Sequence, residues 1–202
     1  MASDSHQASR LSPDPPDYTE DEQRCLVEQQ LAIVRQIHEG AIRTREPTRM
    51  LVCDLHRALF QGVRSHAGRY RSRDFGSAYL TYGPWRSVEN RRVESTMVEW
   101  EREAIRLVKQ VEDLVEDDSY EREAIRAALH IHATLIRIHP FEDGNGRVGR
   151  MLLNHLLVRF NLPPLIFEIP KQEYLDALSA YYARPPDLDP LYGLALRLFD
   201  QG

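Results

Sequence analysis

Residues 139–150 run His139-Pro140-Phe141-Glu142-Asp143-Gly144-Asn145-Gly146-Arg147-Val148-Gly149-Arg150, and an apolar helix follows directly. Each polar position has a distinct chemical use. His139 is a base that can take a proton from an attacking hydroxyl. Asp143 is a hard oxygen ligand, placed to hold Mg²⁺ against bound phosphates. Gly144, Asn145 and Gly146 form a turn at a helix N-terminus, where unpaired N–H groups and the positive end of the helix dipole attract anions. The glycines let a phosphate approach the backbone, and Asn145 tolerates the left-handed region and can cap the helix. Arg147 and Arg150 are three residues apart, share a helix face and can bind phosphate oxygens through paired hydrogen bonds. A base, a metal ligand, an anion turn and two cations are the parts needed to handle a nucleoside triphosphate.

Other phosphate and metal templates fit poorly. No Gly-Lys-Ser/Thr follows the turn, and no strand precedes it, which excludes the P-loop and the dinucleotide fingerprint. His130 and His132 are two apart, which points them to different helix faces and argues against a zinc pair. Cys25 and Cys53 lie in helical segments without a second cysteine at metal spacing, and read as small buried hydrophobes in a reducing compartment.

The residues that must position this motif are mostly helical. Residues 1–18 are polar and Pro-rich and read as a flexible tail, leaving a single domain over 19–202. Thr19 and Glu22 have capping-box spacing and Gly40 supplies a stop, which frames a first helix. A second starts near Pro47 and ends at Gly62. Residues 64–92 lack helical periodicity and mix glycines, aromatics and arginines, as binding loops often do. Within them Ala78 to Thr81 predicts a strand and Gly83-Pro84 a turn, so a small hairpin is expected. Helices are expected over 93–117 and 119–138, the latter capped by Asp118 with Glu121, and then over 145–161, stopped by Leu162-Pro163-Pro164. Residues 165–169 predict an extended segment. Two last helices open at Pro170 and near Pro190. The helix after the motif is apolar on most faces and should be buried at the centre of the molecule. The expected class is all-α, or nearly so, with a bundle around that helix.

Composition limits the alternatives. At 202 residues, 42% hydrophobic and 28% charged, the chain can build one ordinary core. A net charge of -5 argues against general nucleic-acid binding. No apolar run reaches membrane-spanning length, and residues 1–10 lack the apolar core of a signal peptide, so the expectation is a cytoplasmic protein that binds no membrane.

At residues 139–150 the chain resembles the Fic family, whose signature is His-x-Phe-x-Asp/Glu-Gly-Asn-Gly-Arg-x-x-Arg; every specified position matches. Leu55 to Phe60, Ala67-Gly68-Arg69-Tyr70-Arg71, and Tyr174 with Ala177 and Leu178 are also similar to family segments, so the resemblance covers roughly 48–182. It implies a mainly helical fold with a β-hairpin flap and transfer of AMP from ATP, with Mg²⁺, to a Ser, Thr or Tyr hydroxyl of a target protein. Carried over, His139 would be the catalytic base, Asp143 the metal ligand, Gly144, Asn145 and Gly146 the anion hole, and Arg147 and Arg150 the holders of the outer phosphates. Phe141 would anchor the loop in the core. The flap, Tyr79, Leu80, Thr81 and Tyr82 with the residues up to Trp85, would pair with target backbone. Transfer of another nucleotide or of a phosphate, removal of AMP, and a non-catalytic nucleotide-binding module stay open. The family's inhibitory pattern Ser/Thr-x-x-x-Glu-Gly/Asn is not matched: Glu39-Gly40 is preceded by Arg35 and Glu89-Asn90 by Trp85. The resemblance therefore implies a chain active as it stands, or one inhibited by a separate small antitoxin-like partner.

Overall fold

A computed structural model of the chain describes residues 18–200. Its helices are α1 (Glu20–His38), α2 (Arg49–Phe60), α3 (Asn90–Glu112), α4 (Tyr120–Ile138), α5 (Asn145–Arg159), α6 (Lys171–Tyr182) and α7 (Asp189–Phe199). Strands β1 (Thr81–Tyr82) and β2 (Trp85–Arg86) pair antiparallel, with Thr81 opposite Arg86 and Tyr82 opposite Trp85. The class is mainly α with one hairpin, as the sequence predicts. The expected tail falls on residues 1–17, outside the described residues. Tyr18, counted with that tail, instead packs against the motif.

Helix ends follow local chemistry. The Thr19–Glu22 capping box forms, with Glu22 N–H donating to Thr19 Oγ1 at 3.2 Å and Thr19 N–H to Glu22 Oε2 at 2.9 Å. Helix α3 stops at Glu112, five residues before its expected end. Glu116, Asp117 and Asp118 would add negative charge at the negative end of the helix dipole, and residues 113–117 turn instead. The cap expected from Asp118 does not form. Ser119 holds the N-cap position of α4 without a side-chain cap bond, and its N–H donates to Asp117 Oδ1 at 2.7 Å. Helix α5 ends before the prolines, because Asn161 turns left-handed (φ 61) and the Leu162 and Asn161 N–H groups fold back onto the Leu157 and Val158 carbonyls. Residues 165–169 form no named strand. The Asn154 side chain instead supplies both backbone bonds of Leu165, at 2.9 and 3.0 Å.

Helix α5 is the buried centre, packed against α1, α2 and α4. Val148, Leu152, Leu153, Leu156 and Leu157 are all within 1% of full burial. Gly149 sets its closest approach to α4, since a Cβ there would lie 2.6 Å from Ile136 Cδ1. The Trp100 indole N–H donates to the Ile131 carbonyl at 3.1 Å and ties α3 to α4. This packing fixes the first turn of α5 relative to the end of α4, which is where the motif lies.

Candidate functional site

The motif loop spans the gap between α4 and α5. His139 ends α4 in the left-handed conformation (φ 55, ψ 60), and Gly144 starts α5 in the same region (φ 77). Gly144 is required on two grounds. Its φ is disfavoured for residues with a Cβ, and a Cβ there would overlap the Phe60 ring. Asn145 does not cap the helix, contrary to the sequence expectation, and is not the left-handed residue. It is the first helical residue, only 4% exposed, and its amide clamps Phe141: Phe141 N–H donates to Oδ1, and Nδ2–H donates to the Phe141 carbonyl, both at 2.9 Å. Among the described residues no side chain caps the first turn of α5. The uncapped amides are those that an anion would meet.

Phe141 is fully buried and stacks on His56, with ring centroids 3.9 Å apart. His56 Nδ1 accepts from the Gly68 N–H at 2.8 Å, so its Nε2 carries the proton and donates to the Asp143 carbonyl at 3.2 Å. Burial pushes the His56 pKa down to about 4 and keeps the ring neutral. Sequence reading placed His56 in a family-like segment but assigned it no role. In the structure it joins α2, the Gly68 turn and the motif backbone.

His139 Nδ1 lies 3.2 Å from the Ile136 carbonyl, which can only accept. The neutral ring therefore carries its proton on Nδ1 and its lone pair on Nε2, the atom a general base needs. Burial lowers the His139 pKa to about 4, with the Ile136 bond working the other way. The ring is stacked on Tyr82 of β1, centroids 4.1 Å apart and planes 11° apart. The flap thus touches the base directly.

A cavity of about 910 Å³ gathers these groups. It is lined by His139, Asp143, Gly144, Asn145, Gly146, Arg147 and Arg150 from the motif, by Leu80, Thr81 and Tyr82 from the flap, and by Lys171 and Leu175 from α6. Tyr79 is not brought in: it is exposed, with its ring under the Arg86 guanidinium at 3.6 Å. Lys171, Leu175, Arg64 and His66 also line the cavity and were given no site role from the sequence, because they lie in two segments far from the motif and without a local pattern of their own.

The two motif arginines differ. Arg147 Nη2 donates to Asp143 Oδ2 at 3.2 Å and to the Tyr18 hydroxyl at 3.2 Å. Among the described residues Arg150 has no ion-pair partner; its guanidinium lies 5.9 Å from the Phe167 ring, and burial lowers its pKa. Glu39, the nearest sequence approach to an inhibitory glutamate, is exposed and caps α1.

Asp143 Oδ1 accepts from the Gly144 N–H at 2.6 Å, and Oδ2 accepts from Tyr18 and Arg147. Tyr18 also sits under Arg64, 4.3 Å from its ring centroid. Its hydroxyl pKa is raised by burial first and by the Asp143 bond second. Among the described residues no group of three or more His, Cys, Asp or Glu could enclose an ion. A single carboxylate beside an anion turn fits Mg²⁺, which is commonly held by one or two carboxylates and by substrate phosphates.

A family model described as the Fic/DOC family matches residues 46–157. A protein adenylyltransferase Fic from Culex quinquefasciatus is 39% identical over 75 residues, 37% of this chain and 15% of its own length. The one from Drosophila melanogaster is 57% identical over 58 residues, 29% of this chain and 11% of its own. The matched stretch thus spans a small part of these curated relatives. The structure of BepC from Bartonella tribocorum, solved with bound AMPPNP, superposes with a TM-score of 0.62 at 16% identity, covering 93% of this chain and 94% of that one. The family match takes in the His139–Arg150 motif, the helices on both sides of it and the flap between α2 and α3. The chain belongs to the Fic/DOC family.

Proposed function

We propose that the chain transfers AMP from ATP to a hydroxyl side chain of a target protein. The observation that carries this reading is the pairing of a neutral His139, its Nε2 free for a proton, with the uncapped first turn of α5 in the same cavity. A module that only bound nucleotide would need the anion turn and the arginines but no oriented base.

The geometry supports the following reaction. His139 Nε2 takes the hydroxyl proton, and the hydroxyl oxygen forms a bond to the α-phosphorus. The bond from that phosphorus to the bridging oxygen breaks, and pyrophosphate leaves. The first-turn amides of α5 face the charge that builds on the phosphate oxygens, and Arg150, which has no carboxylate to release among the described residues, binds the leaving group. The side chains of Phe141, Asn145 and His56 hold the loop rather than touch the substrate. A Mg²⁺ ion on Asp143 would supply further charge neutralisation to the departing phosphates. Asp143 would hold that ion, and Tyr18 and Arg147 compete for its Oδ2. The flap supports target binding, because its short hairpin stands at the cavity edge and can be extended by an added strand.

Control by a separate partner fits the same reading. A carboxylate delivered to Arg150 would compete with the outer phosphates.

The test compares the parent chain with His139→Ala, using ATP and Mg²⁺ and intact-mass detection of AMP on lysate proteins. The mutant should lose about 10²–10⁴-fold in rate while still binding nucleotide. Equal modification by both would remove His139 from the role given to it.

A further inference from the structure

Arg71 lies outside the motif and is 1% exposed. A guanidinium taken out of water is costly unless its donors find partners. Here they do, without an ion pair to a carboxylate among the described residues. Nε and Nη2 both donate to the His139 carbonyl, at 3.0 and 2.8 Å. Nη1 donates to the Ser77 carbonyl at 2.9 Å. Nη2 also reaches the Val88 carbonyl at 3.0 Å and Ser87 Oγ at 3.1 Å. The Arg71 backbone N–H donates to the Pro140 carbonyl at 2.8 Å.

These acceptors come from three places: the left-handed His139 at the end of α4, the first root of the flap at Ser77, and its second root at Ser87 and Val88. The roots are joined elsewhere as well. Ser87 and Leu80 exchange bonds through Leu80 N–H to Ser87 Oγ at 2.9 Å and Ser87 N–H to the Leu80 carbonyl at 2.8 Å. Glu142 takes the Ser77 N–H at 2.9 Å and its hydroxyl at 2.6 Å. Among the described residues, however, only Arg71 holds both roots and the base's own carbonyl with one rigid, planar group. A planar fork fixes directions as well as distances, which an ammonium cannot do. The Tyr82–His139 stack shows what this frame preserves: a flap residue and the base ring in face-to-face contact.

We propose that Arg71 is a positioning residue that sets the His139 imidazole and the flap in register, so that a target hydroxyl presented by the flap meets Nε2. This rests on the reading of His139 as the base and of the flap as the target platform.

The test uses Arg71→Lys in the full chain. Three quantities are read: affinity for Mg-ATP, transfer of α-labelled ATP to lysate proteins, and the ring-proton NMR signal of His139 in histidine-labelled protein. Tyr82 shields that signal while the rings are stacked. The proposal predicts unchanged nucleotide affinity, a displaced His139 signal and transfer reduced by about 10²-fold, the scale expected when reacting groups are misplaced by about 1 Å. A folded Arg71→Lys with the parent signal and parent transfer overturns it. Ser87→Ala keeps the proposal testable if Arg71→Lys does not fold. Ser87 has no hydrogen bond to His139, and its Oγ meets both Arg71 Nη2 and the Leu80 N–H, so a shift of the His139 signal in that variant supports coupling of the flap roots to the base, and an unmoved signal overturns it. Failure of the underlying reading looks different: His139→Ala would then transfer as well as the parent, while the NMR and affinity results would stand unchanged.

Discussion

Arg147 and Arg150 show what the signature conveys and what it omits. The sequence presents them as equals on one helix face. The structure ties Arg147 to Asp143 and Tyr18 and leaves Arg150 without a carboxylate among the described residues. Arg150→Ala should therefore weaken Mg-ATP binding by roughly ten- to a hundredfold, the loss expected for charge-assisted bonds of about 1.5–3 kcal/mol. Calorimetric titration would show it, and parent affinity would count against a phosphate role. Tyr18→Phe should act in the opposite direction. The hydroxyl competes for Asp143 Oδ2, so removing it should tighten Mg-ATP binding; weaker binding would instead make Tyr18 a ligand-side group. The motif was legible because its parts are contiguous. The contacts of Tyr18 were not, and Arg71 matched a family-like segment without a role. Their partners lie 125 and 68 residues away, and a buried arginine looks like any surface arginine in sequence.

The helices and the hairpin were legible for local reasons. Capping at Thr19, left-handed Gly40 and the Gly83-Pro84 turn each act within a few residues. The errors are also local, and arise where two signals compete. Asp118 has capping spacing, but Asp117 takes the Ser119 amide first. Asn145 looked like a cap and proved to be a brace, because its amide faces the Phe141 backbone across the loop it closes. Asn145→Ala would strip a donor and an acceptor from that backbone in a buried position, at about 1–3 kcal/mol for each group left unpaired. At roughly 2–4 °C per kcal/mol for a chain of this size, the Tm should fall by several degrees. Thermal unfolding followed by circular dichroism measures this; an unchanged Tm would mean that the loop closes without the amide.

Across the molecule, three buried histidines and the half-buried His139 share one environment. His56, His132, His139 and His155 each bond through a ring nitrogen to a backbone carbonyl, of Asp143, Gly149, Ile136 and Arg45. Burial lowers each pKa from 6.5 to about 4. Between those values the unfolded chain binds protons that the folded chain does not, so unfolding becomes easier as pH falls. The stabilisation is fully present above pH 6.5 and is lost progressively toward pH 4. Each histidine that behaves this way adds about 1.4 kcal/mol per pH unit inside the window. Urea unfolding at a series of pH values should show stability dropping steeply there, with His132→Gln flattening the slope; stability flat from pH 7 to 4 would contradict the neutral buried rings. Which histidines would be buried could not be read locally. His130 and His132 are two residues apart; His132 is fully enclosed by α5 and Tyr174, while His130 meets Tyr181 nearer the surface.

The central claim is that His139 activates a hydroxyl for attack on the α-phosphorus. The most direct test supplies ATP labelled either at the α- or at the γ-phosphate, with Mg²⁺ and lysate proteins as acceptors, and asks which label remains bound to protein. The account predicts retention of the α-label alone, on a hydroxyl side chain, and its loss in His139→Ala. Retention of the γ-label, or equal α-labelling by the mutant, would contradict it.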